Sequence, residues 1–176
     1  MISKQDIINI ENLFDNKKII HSEFLSNSFN INCVKFITSD KKKYIVKYYQ
    51  KKKDSFNAIK SEAKNLRFFE SLKKNYFPKI YVSNNNYLVM SYLDNNNKLP
   101  SNTKKDLLDA ISFMHSQKKN KFGFDFDTQI GGLKHKNNFD INWVRFFRDT
   151  RINYIYELIN KSNPMENEVN KKMDLL

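Results

Sequence analysis

Glycine is nearly absent from these 176 residues, with three copies, and proline is equally scarce; there is one cysteine and one tryptophan. A lone cysteine, Cys33, cannot close a disulfide within the chain, which excludes the disulfide-stapled class of small secreted domains. Cys33 is expected to pack in a strand, in a reducing setting. No apolar run approaches the length of a membrane span, and Met1-Ile2-Ser3-Lys4-Gln5-Asp6 lacks the apolar core of a signal peptide. A soluble cytoplasmic protein with no membrane partner is expected. Arginine is rare too, four copies against 27 lysines. Readers of bases and phosphates favour the guanidinium fork, so the net charge of +12 argues for general attraction of anions and against a nucleic-acid partner. What the chain does have is a hydrophobic content of 40% and an aromatic content of 14%, enough to fold around a core despite a mean hydropathy of −0.70.

Apolar spacing divides the chain into two kinds of segment. Ser3 and Asp6 form a capping box for a short helix through Phe14, with Ile7, Ile10 and Phe14 on one face. Strands are expected over 18–25, 31–38 and 43–49, joined by Ser26-Asn27-Ser28-Phe29-Asn30 and by the hairpin turn Ser39-Asp40-Lys41-Lys42. A helix follows the Lys51-Lys52-Lys53-Asp54 turn, with Asp54 or Ser55 as N-cap. Two further strands, 79–83 and 87–93, flank Asn84-Asn85-Asn86. Beyond Pro100 the pattern turns helical: Thr103 and Asp106 make a second capping box, and Leu107, Leu108, Ile111 and Met114 form an expected buried stripe. The expected class is α+β: a five-stranded antiparallel sheet with a helix over 1–93, a linker over 94–102, and a partial helical lobe over 103–176.

One pairing within this frame suggests chemistry. In the strand Lys43-Tyr44-Ile45-Val46-Lys47-Tyr48-Tyr49, alternation puts Ile45, Lys47 and Tyr49 on one face and Tyr44, Val46 and Tyr48 on the other. The following helix carries Phe56, Ile59, Ala63, Leu66 and Phe69 as its apolar stripe, with Glu62 along the edge. A strand lysine facing a glutamate of the next helix is the arrangement by which kinases hold an ammonium against nucleotide phosphates. The plainer reading, in a chain this rich in lysine, is a solvated strand residue.

All three glycines fall within Phe122-Gly123-Phe124-Asp125-Phe126-Asp127-Thr128-Gln129-Ile130-Gly131-Gly132-Leu133, which marks backbone positions that no side chain can occupy. Asn137, Trp143-Val144-Arg145-Phe146-Phe147 and Arg151-Ile152 follow, the latter two on a long amphipathic helix through Ile159. This ordered set (Gly-Phe, Ile-Gly, Asn, Trp, Phe-Phe, then Arg with an aliphatic residue) resembles the fructosamine (ketosamine) kinases, within the aminoglycoside-phosphotransferase-like group of protein-kinase-like folds. The resemblance implies ATP and Mg2+ as cofactors and a ketosamine sugar adduct as substrate, phosphorylated on its sugar 3-hydroxyl in protein deglycation. It implies that Lys47 binds the nucleotide phosphates, oriented by Glu62. Ser28 and Asn30 fall on the phosphate loop, and Met90-Ser91-Tyr92 on the hinge that reads adenine. His135, Asn137 and Trp143 fall on the substrate side.

Several departures accompany the likeness. The phosphate loop lacks the family's glycines, Ser91 stands where an acid is common, and His135 stands at a Gln position. The catalytic carboxylate and metal ligands of the family lie on a His-Gly-Asp loop and a later Asp, beyond the Trp/Phe-Phe helix. None of His21, His115 and His135 has an Asp two residues on, so no catalytic or metal residue is assigned. Asp125-Phe126-Asp127 is read as an anchor for the glycine turn, and His115 as a structural group near a helix C-terminus. The expectation is an N-terminal portion of such a kinase, with an exposed apolar face on the Trp143 to Ile159 helix prone to self-association. Two alternatives remain open: a related choline- or aminoglycoside-type kinase, and a catalytically inactive module that binds a nucleotide or a partner.

Overall fold

The structure, a computed structural model, describes residues 2–51, 56–74, 76–94, 100–173 and 175. The expected caps Asp54 and Ser55, the turn residues 52–54 and the linker residues 95–99 lie outside them. Two compact units make up the chain, Met1–Ala110 with Gly131–Leu133 and Ile111–Ile130 with Lys134–Leu176.

The first unit is built on a five-stranded antiparallel sheet: β1 (Ile19–Ser28), β2 (Ile31–Thr38), β3 (Lys43–Tyr49), β4 (Ile80–Ser83) and β5 (Tyr87–Ser91), in the order β1-β2-β3-β5-β4. Strand alternation sorts its core into two layers. On one face Val34, Phe36, Tyr44, Val46, Tyr87 and Val89 close around Ile10 of helix α1 (Lys4–Leu13). On the other, Ile45, Leu88 and Met90 pack on Ile59 and Ala63 of helix α2 (Ala58–Ser71). Both faces are covered, so the central strands read as nearly continuous apolar runs. Ser3 caps α1, its hydroxyl accepting the Asp6 amide at 3.0 Å while donating to the Asp6 carboxylate at 2.6 Å.

Three local expectations change. The first strand runs on to Ser28, and only Phe29 and Asn30 remain as turn, at φ +51° and +66°. A two-residue hairpin with both φ positive matches the twist of the flanking strands, which is why the pairing zips further than the polar composition suggested. The N-cap of α2 is Asn57, whose side chain accepts the Lys60 amide at 2.9 Å; Phe56 therefore precedes the helix. In α3 (Thr103–Ser116) the Thr103 hydroxyl donates to the Pro100 carbonyl at 2.8 Å instead of capping, and no residue of the helix is buried. Leu107, Leu108 and Ile111 stay exposed, because nothing among the described residues covers that stripe.

In the second unit a short hairpin not foreseen from composition, β6 (Thr128–Ile130) and β7 (Leu133–His135), turns at Gly131-Gly132; those two glycines and Leu133 belong to the first unit. The expected long helix is α4 (Trp143–Phe147), a π-helical segment (Arg148–Asn153) and α5 (Tyr154–Ser162), followed by α6 (Asn167–Met173). Trp143, Val144, Phe147, Leu158 and Ile159 are exposed along it.

Candidate functional site

Lys47 sits mid-strand in β3, opposite Cys33 of β2 and Leu88 of β5, on the face that α2 covers. The end of β3 also fixes the start of the helix: the Tyr49 hydroxyl accepts the Ala58 amide at 2.7 Å, and Asn57 donates to the Asn85 carbonyl at 2.8 Å. With α2 anchored there and Ile59 fully buried beneath it, Glu62 arrives one turn later above the strand. Its Oε1 lies 2.6 Å from Lys47 Nζ. Both side chains keep access to solvent, 26% exposed for Lys47 and 20% for Glu62. At an effective dielectric near 20 the Coulomb attraction of such a pair is about 4 kcal/mol before desolvation is subtracted, so its main use is positional. The lysine is fixed in place yet reachable by an anion.

The other first-unit residues read from the sequence differ in how much of each is left uncommitted. Ser28 ends β1, exposed, beside the hairpin tip. Asn30 is spent on that tip: its amide donates to the Lys51 carbonyl at 2.7 Å and its carbonyl accepts the Gln50 amide at 2.9 Å. The Met90 side chain is buried in the core between Ile45 and Ile80. The Ser91 amide already donates to the Lys79 carbonyl at 2.8 Å, and its hydroxyl accepts the Lys79 amide. Tyr92 lies between the Lys35 and Lys43 ammonium groups, 5.5 and 5.4 Å from its ring centre.

In the second unit Asn137 is 2% exposed and fully engaged. Its side-chain amide donates to the Phe126 carbonyl at 3.2 Å and the Thr128 hydroxyl at 2.8 Å, and its oxygen accepts from Arg151 at 2.6 Å. Its backbone amide donates to Asp127 at 3.1 Å. A buried amide with these partners organises the loop. Burial tends to raise the Asp127 carboxyl, but the Lys134 ammonium at 2.8 Å and the Asn137 amide outweigh it and hold it below its ordinary range. Asp127 does anchor the glycine-rich segment, as its position suggested. Arg151, known from the sequence only as a motif letter, also donates to the Lys136 carbonyl and stacks 5.0 Å from the Phe146 ring centre. His135 is half-buried on β7, its pKa lowered by burial and by the Arg151 charge. Trp143 opens α4 half-exposed, against Phe122, Phe146 and Phe147.

Two further groups escaped sequence reading. Asn142 caps α4, accepting the Arg145 amide at 2.9 Å. Asp140 takes a two-pronged bond from Arg145, at 2.5 and 2.7 Å. The spacing of five in Asp140-Ile141-Asn142-Trp143-Val144-Arg145, around an Asn cap, is the signal that was there to find. Arg145, helped by the Asn142 amide, lowers the Asp140 carboxyl from 3.8 to about 2. Its stabilising contribution is therefore complete above about pH 4 and lost as pH falls through about 2. Arg145→Met is expected to be less stable than the wild type above about pH 4, with the gap closing toward pH 2 in urea titrations at stepped pH.

Among the described residues no three His, Cys, Asp or Glu side chains gather where a metal ion could be held. No helix among them is long and apolar enough to cross a membrane.

Comparison with known proteins fits this arrangement. A family model described as "Fructosamine kinase" matches residues 5–175. A probable ketoamine kinase of Enterococcus faecium is 27% identical over 135 residues, 76% of this chain and 47% of the relative. Two solved structures share the fold, both provisionally named fructosamine-3-kinase. The protein from Thermobifida fusca has a TM-score of 0.75 at 17% identity, covering 96% of this chain and 59% of its own. That from Haemophilus somnus has a TM-score of 0.74 at 20% identity, with 88% and 53% covered. The chain spans about half the length of the curated relative it matches.

Proposed function

Because the chain belongs to the fructosamine kinase family, we propose that it carries the nucleotide-binding part of an ATP-dependent kinase acting on the sugar of ketosamine adducts. The observation that carries this reading is the Lys47–Glu62 pair at 2.6 Å on the helix-covered face of the sheet. Lys47 is the cation that would meet the nucleotide phosphates, and Glu62 fixes where it points. Ser28 and the Phe29-Asn30 turn would border the phosphates. The main chain around Ser91 and Tyr92 would border the base through groups other than the Ser91 amide. In the whole enzyme, phosphate would pass from ATP to the sugar 3-hydroxyl, and the phosphorylated adduct would then release its amine. His135 and Trp143 remain proposed for the substrate side, with Asn137 behind them as a positioning residue.

Calorimetry with a non-hydrolysable ATP analogue tests the first step. Loss of one partner of a charge-paired contact typically costs 2–5 kcal/mol, so Lys47→Ala is expected to weaken binding by about 30-fold or more, with Glu62→Gln in between. Wild-type affinity in Lys47→Ala would overturn the reading. A second reading is a nucleotide-binding module without transfer activity. Turnover of a fructosamine or ribulosamine by this chain would eliminate it.

A further inference from the structure

Phe29 stands where a two-residue hairpin does not favour a bulky side chain. At φ +51° it occupies the left-handed region, which asparagine and glycine enter more readily. Its side chain is 56% exposed, so burial in a core does not explain it. What the ring touches is the Gly131-Gly132 turn, which belongs to the same unit. A Cβ on Gly131 would stand 2.9 Å from Phe29 Cε2 and Cζ, and one on Gly132 would stand 2.7 Å from Phe29 Cβ. The side chain therefore lies along both glycines, its root at Gly132 and its far edge at Gly131. That space exists only because neither position carries a side chain. A strained turn residue and two glycines far along the chain thus serve one contact.

The contact sits at the end of the β1–β2 hairpin. Ser28 pairs with Ile31 to close the ladder, so the Phe29 and Asn30 amides lie beyond it. No glycine occurs from Ser26 to Asn30, so the tip cannot settle on a ligand by free bending. It is held from two sides instead. Asn30 ties it to Lys51 and Gln50 by hydrogen bonds, and Phe29 ties it to the glycine turn by packing. We propose that Gly131-Gly132 is the seat of Phe29, and that Phe29 is a positioning residue holding the tip amides where nucleotide phosphates meet them. This role rests on the nucleotide reading of the Lys47–Glu62 pair. It adds a coupling that the pair alone does not supply: nucleotide and glycine turn each strengthen the other's hold on the tip.

The test is an NMR titration of the full chain, labelled with 15N-glycine, with a non-hydrolysable ATP analogue. Three glycines give three amide signals. Those of Gly131 and Gly132 are expected to move on binding, and that of Gly123 to stay. Phe29→Ala is expected to weaken binding about fivefold or more, by loosening a preorganised tip, and to abolish those movements. Phe29→Leu, which keeps apolar bulk for the seat, should recover part of the affinity. Gly131→Ala, which pushes the ring off its seat, should weaken binding about threefold in the wild type and no further in Phe29→Ala. Full affinity in Phe29→Ala overturns the proposal, and so does a Gly131→Ala effect of equal size in both backgrounds. Lys47→Ala separates the two readings. Binding that is lost in Lys47→Ala yet indifferent to Phe29→Ala removes this role and leaves the nucleotide reading standing; no binding by the wild-type chain removes both.

Discussion

Gly123→Ala is expected to destabilise the second unit by about 3 kcal/mol or more, measured by urea unfolding. Gly123 has φ +115°, outside the range open to residues with a side chain. A Cβ there would stand 2.7 Å from the Asn138 carbonyl oxygen and 2.9 Å from that of Asn137, both main-chain atoms. Those carbonyls cannot swing aside like a side-chain tip. The Asn137 oxygen accepts the Phe124 amide at 3.1 Å, and the Phe122–Asp140 bridge closes the same loop with bonds of 2.8 and 3.0 Å. Relief of the clash must break one of them. Gly131→Asn is the matched control: its φ of +52° suits asparagine, and the nearest atoms are the outer carbons of the Phe29 ring. A loss of about 1 kcal/mol is expected there. Equal losses at the two positions would show that the clash is not what fixes Gly123.

Arg151→Ala is expected to cost about 2–5 kcal/mol in the same assay, by removing one guanidinium from acceptors on Lys136, Asn137 and Thr150 at once. The Asn137 side-chain oxygen and the Lys136 carbonyl would each lose that donor, and Asn137 is buried. Arg151→Lys restores the charge without the fork, so it should recover only part of the loss. Asn137→Ala combined with Arg151→Ala should cost less than the sum of the two changes, because they remove the same bond. Full additivity would place the role of Arg151 elsewhere.

The first unit was largely legible in the sequence because its signals are local. Alternation assigned the two faces of β3, threefold and fourfold spacing assigned the buried side of α2, and together they brought Lys47 and Glu62 within reach. What composition could not reveal was competition between equally good local choices. Asn57 caps α2 while the Tyr49 hydroxyl of the preceding strand takes the next free amide, a strand-to-helix contact that spacing alone does not reveal. In the second unit the decisive partners are distant in sequence. Asn137 looked like a polar loop residue offered to a ligand, and became a buried hub only once Arg151, fourteen positions later, was placed against it. Leu107, Leu108 and Ile111 carry the pattern of a buried stripe, but a pattern states what a helix face requires and not what covers it.

The π-helical segment between α4 and α5 acts as a phase corrector. Phe146, Thr150 and Tyr154 are buried at intervals of four. Over those eight residues a regular α-helix would carry a side chain about 80° around its axis. Wider winding absorbs most of that rotation, and the three positions stay on one side. Deleting a residue between Arg148 and Asn153 would let the coil tighten, turning α5, with the Tyr156 hydroxyl that bonds Asn170, about 100° out of alignment. The length of this short stretch should therefore be far less tolerant of change than the identity of its exposed side chains.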